Sequence, residues 1–297
     1  MSVQLKLDTT DTKSPMRAFF VFLLMVATAA PFAAQNAAPN QSTILAATRE
    51  ALGGEKRLTA VKTFIASGRT QQVRGQNLVP IEFEIAVELP DKYVRKDEIP
   101  AQESGPASIG FVADSLIQVP PQSAPAGRPG GPPPTPEQLE TARRGRVVGV
   151  KQDFARLALG LFAGSFAGYP LTFTYVGQAE APQGKADVLE VKGAPNLTMR
   201  FFIEQATHLP IMISWQGASP GGGRGAAPGR GPAPPEGAAP PSGPPPENRI
   251  YFADYRDVDG MKWPFRLRRA LGPDTVEETI FDRFRINVRI DPKKFQS

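Results

Sequence analysis

His208 is the only histidine in this chain of 297 residues, and there is no cysteine. A zinc site would have to combine His208 with carboxylates, and the Cys/His spacing that marks common zinc sites is missing. A Ser–His–Asp hydrolase would have to take its base from Thr207-His208-Leu209-Pro210, which reads as a turn between strands. No Gly-x-Ser-x-Gly elbow set between a strand and a helix accompanies it. A hydrolase is therefore the weakest reading of this chain.

Asp254, Asp257 and Asp259 are close in sequence. Asp257-Val258-Asp259-Gly260 has part of a calcium-loop pattern but lacks the remaining ligands. Capping of a tight turn by aspartate side chains explains these residues better. Gly53-Gly54 and Gly221–Gly225 lack the strand–glycine–helix setting of nucleotide sites. Arg266 and Arg268 share one face of an alternating segment with Arg269 beside them, a pattern that solvent exposure explains. No catalytic residue, metal ligand or cofactor is assigned.

The elements around these residues are mostly strands. Ile250–Phe265 reads as a hairpin: aromatic Tyr251, Phe252 and Tyr255, then the Asp257–Gly260 turn, then Met261–Leu271. Pro264 inside its second arm predicts an edge strand or a bulge. Pro80–Leu89 alternates most cleanly, with Ile81, Phe83, Ile85, Val87 and Leu89 against Glu82, Glu84, Ala86 and Glu88. Such alternation means a sheet with one face in solvent. Further strands are expected over Thr63–Val73, Lys92–Lys96, Ser108–Val119 as one run, Leu171–Ala179, Ala186–Lys192, Leu197–Glu204, Ile211–Trp215 and Val276–Ile290. The last has an uneven pattern, and Phe295 after it is expected to dock into the core.

Two helical segments are expected. Thr43–Leu52, capped by Ser42 and ended by Gly53-Gly54, has an apolar face and leads into a short second turn with Leu58 and Val61. Glu137–Leu161, opened by Thr135 or Pro136, carries an apolar stripe of Phe154, Leu157, Ala158, Leu161 and Phe162, with a break expected near Gly145–Gly149.

Pro 32 and Gly 28 exceed ordinary usage. They concentrate in Pro120–Pro136 and Gly217–Pro246, which read as flexible insertions in one domain spanning Ser42–Phe295. The net charge of +5 is a mild excess, and no nucleic-acid partner is implied. Residues 1–34 read as an export signal: Arg17, the apolar run Phe19–Ala30, then small residues, with cleavage placed between Ala30 and Ala38. The expected location is the periplasm. The alternative is an uncleaved N-terminal anchor in the inner membrane, facing the periplasm. Lacking cysteine, the chain must be held together by its core rather than by disulfides.

Several segments together resemble the outer-membrane lipoprotein carrier and receptor family, the LolA/LolB-like group, and its uncharacterised exported relatives most of all. They are Ala51-Leu52-Gly53-Gly54 with Leu58 and Val61, Leu89-Pro90-Asp91-Lys92-Tyr93, Phe202–Pro210, and Tyr255–Gly260 followed by Trp263-Pro264. The resemblance implies a mainly β, α+β chain: an unclosed antiparallel β-barrel, or half-barrel, covered by helices. It implies a non-catalytic carrier for a lipid, a lipoprotein acyl chain or another hydrophobic ligand. The expected cavity lining is Ile81, Phe83, Ile85, Leu157, Leu161, Phe201 and Tyr251. No position matches the carrier's lipid-gating arginine. Peripheral membrane contact is compatible with this reading. The alternative is a structural or protein-interaction module of the cell envelope, with an envelope protein as partner and the Pro/Gly tracts as contact arms.

Overall fold

The computed structural model describes residues 40–100, 102, 105–121, 134–181, 184–217 and 246–296. The expected leader, and most of both Pro/Gly tracts, lie outside the described residues.

Twelve strands form one antiparallel sheet in the order β5-β4-β3-β2-β1-β12-β11-β10-β9-β8-β7-β6. Strands β1 (Thr63–Arg74), β2 (Asn77–Glu88), β3 (Lys92–Glu98), β4 (Ala107–Val112) and β5 (Ser115–Val119) make one meander. Strands β6 (Leu171–Ala181), β7 (Gly184–Gly193), β8 (Leu197–Glu204), β9 (Pro210–Gln216), β10 (Glu247–Val258), β11 (Met261–Leu271) and β12 (Asp274–Ile286) make the other. Pairing of β1 with β12 joins the two wings, and β5 and β6 remain as unpaired edges. The sheet is an open half-barrel. The second Pro/Gly tract does not disturb it: Gln216 and Glu247, on either side of residues 218–245, are cross-strand partners.

Alternation places the large apolar residues on one face. Phe64 and Ala66 of β1, Phe83, Ile85 and Val87 of β2, Phe201 and Ile203 of β8, Trp263 and Phe265 of β11, and Phe281 and Phe284 of β12 belong to one cluster. A smaller cluster on the other face holds Ile65, Ala86, Val94 and Ile117 under Ile290 and Phe295. Phe295, on the C-terminal 3-10 helix Pro292–Phe295, thus docks on the back of the sheet.

Helix α3 (Pro136–Phe162) connects the two edges and lies on the inner face, packed against β4, β5, β9 and β11. Thr135 caps it through a reciprocal capping box with Gln138, and Ala163 ends it in the left-handed region. It is continuous, contrary to the break expected near Gly145. A helical glycine costs about 1 kcal/mol relative to alanine, which the burial of Val147, Val150 and Phe154 outweighs. Phe154 packs on Tyr93 at 4.9 Å and on Phe166 at 4.8 Å, and Phe162 on Trp263 at 5.7 Å.

Helices α1 (Gln41–Ala51) and α2 (Glu55–Ala60) precede the sheet. Asn40 rather than Ser42 caps α1, accepting the Ser42 N–H at 2.9 Å. Among the described residues no helix is long and apolar enough to cross a membrane.

Other expectations need correction. Ser108–Val119 is not one strand but the β4–β5 hairpin, turning at Ala113 with φ 49°. Pro264 is not on an edge strand, since β11 lies between β10 and β12. β11 pairs with β12 only from Arg266 onward, so Pro264 stands where no β12 partner needs its missing N–H.

Candidate functional site

Two hollows occupy the space between the helices and the sheet. The larger is an open groove of about 480 Å³, at the end of the half-barrel where β1 begins and β2 turns into β3. Its apolar walls come from Leu58 and Val61 after α1, Leu89 and Pro90 of the β2–β3 turn, Ala158 and Phe162 of α3, and Phe166 beyond it. Arg49, Glu55 and Lys62 stand at its rim, with Arg49 and Glu55 paired at 3.6 Å.

Local sequence explains the shape of the groove. Gly53, with φ 128°, reverses the chain after α1. That reversal brings Leu58 and Val61 back onto the sheet, where both are buried. On α3, Ala158 and Phe162 are one turn apart and face the groove together. The small residues Gly164, Ser165 and Ala167 leave the groove open where bulkier side chains would fill it.

The second hollow is a smaller pocket of about 60 Å³. Ile85, Tyr93, Ile250, Phe252, Leu267 and Phe281 make its apolar walls, with Leu157 of α3. Unlike the groove it has a charged interior: Arg95, Arg269 and Glu277 from the sheet, Asp153 and Arg156 from α3. Arg95 donates to Asp97 at 2.6 Å and to the Thr70 hydroxyl at 3.1 Å, and Thr70 bonds Thr279 at 2.9 Å. Arg156 is only 2 % exposed. It pairs with Asp153 at 3.0 Å and stacks over Trp215 at 4.3 Å. Burial pushes the Arg156 guanidinium below its ordinary value; Asp153 opposes that shift and Arg269 adds to it.

None of the seven expected lining residues borders the groove. Ile85 and Leu157 line the smaller pocket. Phe83, Leu161 and Phe201 are buried members of the packed core, and Ile81 is buried on the same β2 face as Phe83. Tyr251 lies on the outer face, because Ile250 and Phe252 point inward and alternation turns the residue between them outward. Arg268 stacks over its ring at 4.1 Å. Sequence reasoning missed Ala158, Phe162 and Phe166 as groove residues. The first two sit in the α3 stripe, which periodicity reveals without showing what the stripe faces.

The polar candidates sit elsewhere. His208 is exposed in the β8–β9 turn with φ 57°. Asp257 accepts the Gly260 N–H at 3.0 Å and so caps its turn, while Asp254 pairs with Arg256. Arg266 pairs with Glu278 on the outer face. Gly217-Ala218-Ser219-Pro220-Gly221 has the letters of a nucleophile elbow, but it follows β9 into the second Pro/Gly tract, and residues 218–245 lie outside the described residues. Among the described residues no three His, Asp or Glu side chains gather closely enough to hold a metal ion.

Comparison with protein-family models gives no match, and no curated protein matches significantly in sequence. Solved structures do match. The crystal structure of LolA superfamily protein NE2245 from Nitrosomonas europaea aligns over 88% of this chain and 99% of its own, with a TM-score of 0.50 at 13% identity. A putative outer membrane lipoprotein-sorting protein domain from Vibrio parahaemolyticus aligns over 86% of this chain and 97% of its own, with a TM-score of 0.47 at 10% identity. The chain has a LolA-like fold, the open half-barrel described above.

Proposed function

We propose that this protein is a non-catalytic binding or carrier protein of the bacterial periplasm, and that its groove takes the acyl chain of a lipid or lipoprotein. The observation that carries the reading is the groove itself. Its volume of about 480 Å³ falls within the ~300–1,000 Å³ usual for ligand pockets. Its walls are apolar and its charges stand at the rim, so a chain can be buried while a polar head stays in water. Burying six methylenes would contribute about 5 kcal/mol before the cost of association. The smaller pocket, at about 60 Å³, is too small for such a chain. The leader-like residues 1–34 and the LolA-like fold support the location and the ligand class.

Ser165 and Ala167 are exposed and line the groove, so tryptophan at Ser165 fills it without entering the core. Native mass spectrometry of the protein incubated with a lysophospholipid should show a bound lipid. Ser165→Trp should reduce its occupancy at least tenfold. A wild-type protein that stays lipid-free, or equal occupancy in both proteins, would sink the proposal.

A further inference from the structure

The charged pocket has features that packing alone does not require. Its lining carries three arginines, Arg95, Arg156 and Arg269, against two carboxylates, Asp153 and Glu277. Arg95 is held by Asp97 through its Nε and by Thr70 through its Nη2. Arg156 differs at its Nε. Its Nη1 donates to Asp153, yet its buried Nε–H finds no acceptor among the described residues. A buried donor left without an acceptor costs about 1–3 kcal/mol, more when it is charged. Arg156 is held there by its stacking on Trp215 and by Asp153, with Arg269 near enough to repel it.

We propose that this pocket binds a carboxylate, received on the Nε edge of the Arg156 guanidinium. The side-on edge of an arginine offers parallel N–H donors that match the two oxygens of a planar carboxylate. An anion at this point would satisfy the Nε–H and relieve the repulsion between Arg156 and Arg269. A volume of about 60 Å³ holds roughly four water molecules at ~15 Å³ each, which suits a carboxylate with a short carbon stub. The apolar wall of Leu157, Ile250, Phe252 and Leu267 would receive the stub. This site is distinct from the groove: Asp153 and Leu157 present one face of α3 to the pocket, Ala158 and Phe162 a neighbouring face to the groove.

Trp215 beneath Arg156 provides the readout. Tryptophan fluorescence of the full chain should change saturably on titration with propionate. Two variants should each weaken binding at least tenfold: Asp153→Asn combined with Arg156→Gln, which keeps the pair neutral, and Leu157→Phe, which fills the pocket. Circular dichroism checks the fold, and if the double variant does not fold, Leu157→Phe decides. Decanoate distinguishes a short carboxylate from the head of a longer amphiphile. Saturation by decanoate but not by propionate overturns the proposal, because a pocket of about 60 Å³ cannot hold a ten-carbon chain. So does the absence of any saturable response, or equal affinity in wild type and Leu157→Phe. Ser165→Trp, which fills the groove, should leave propionate binding unchanged, so failure of one site is separable from failure of the other.

Discussion

Lys262 donates its backbone N–H to the Leu52 carbonyl at 2.9 Å. This one bond ties the end of α1 to the beginning of β11, on the stretch where β11 has no β12 partner. It brings together two segments that lie far apart in sequence, Leu52-Gly53-Gly54 and Asp259-Gly260-Met261. A β-carbon on Gly53 would lie 2.7 Å from the Gly260 carbonyl oxygen and 2.9 Å from the Met261 α-carbon.

Gly53→Ala should therefore destabilise the fold twice over, through its positive φ and through the backbone clash. Each effect is worth about 1–3 kcal/mol. A urea denaturation midpoint shifted by less than the equivalent of ~1 kcal/mol would show that the contact can relax.

Gly160→Ala sets two effects against each other. Alanine favours the helix by about 1 kcal/mol. Its β-carbon would lie 2.2 Å from Phe252 Cε1, and overpacking of this kind costs about 1–3 kcal/mol. The clash should win, and Phe252→Leu in the same chain should recover most of the loss in a thermal melt.

Asp153 and Arg156 should respond unequally to removal. Asp153 is 12% exposed as a side chain and Arg156 2%. Asp153→Ala leaves a deeply buried charge without its counter-ion, a change that costs about 3–5 kcal/mol. Arg156→Met leaves a carboxylate closer to solvent and should cost less. Chemical denaturation of the two variants gives the order directly, and the reverse order would refute this account of the pair.

Tyr255 and Tyr169 predict alkaline sensitivity. The Tyr255 hydroxyl lies 2.9 Å from the Pro210 carbonyl oxygen and 3.2 Å from that of Gly160, fixing α3 to β9. Burial pushes Tyr255 well above the ordinary tyrosine value near 10, and pushes Tyr169 up as well. Above pH ~10 the unfolded chain releases these protons while the folded chain keeps them, so stability is full below pH ~10 and falls as pH rises toward the folded values. Tyr255→Phe should flatten that fall and cost about 1 kcal/mol at neutral pH. Melting temperatures at pH 8 to 11 test both points.

Deleting Asp282 should leave the fold intact and make β12 pair regularly with β1. The β1–β12 register skips this residue: Ser67 pairs with Arg283, and Gly68 with Phe281. The bulge is what lets Phe281 and Phe284, three apart, both face the core, 4.7 Å from each other. Without Asp282 the two are only two apart, the ordinary same-face spacing of a strand, so both still face the core. Insoluble protein, or a non-cooperative melt, from the deletion would contradict this.

That bulge also marks where sequence reading stops. The even alternation of Pro80–Leu89 gave β2 and its inner face, because period two is a local property of the strand. The uneven apolar pattern of Val276–Ile290 has no single period, since an inserted residue changes the parity midway. Tyr251 fell on the wrong face for a related reason. Three aromatic residues within five positions fit a strand, and only pairing with β9 and β11 decides which parity points inward.

The open half-barrel was implied by the family resemblance alone; the residues themselves determined most of the strands and turns and the two helical segments. These follow from alternation, from Gly, Pro and Asp at turns, and from caps such as Thr135, all of which act over a few residues. Tertiary structure alone decided that β1 pairs with β12, that α3 lies on the inner face, and that the walls of the groove come from α1–α2, the β2–β3 turn and the end of α3. Those outcomes bring together residues about 70 to 220 positions apart, such as Leu89 and Phe162 around one groove and Phe64 and Ile286 across one pair of strands. Hydrophobic burial drives such assembly without specifying partners, so which apolar faces meet is set by packing of the whole chain.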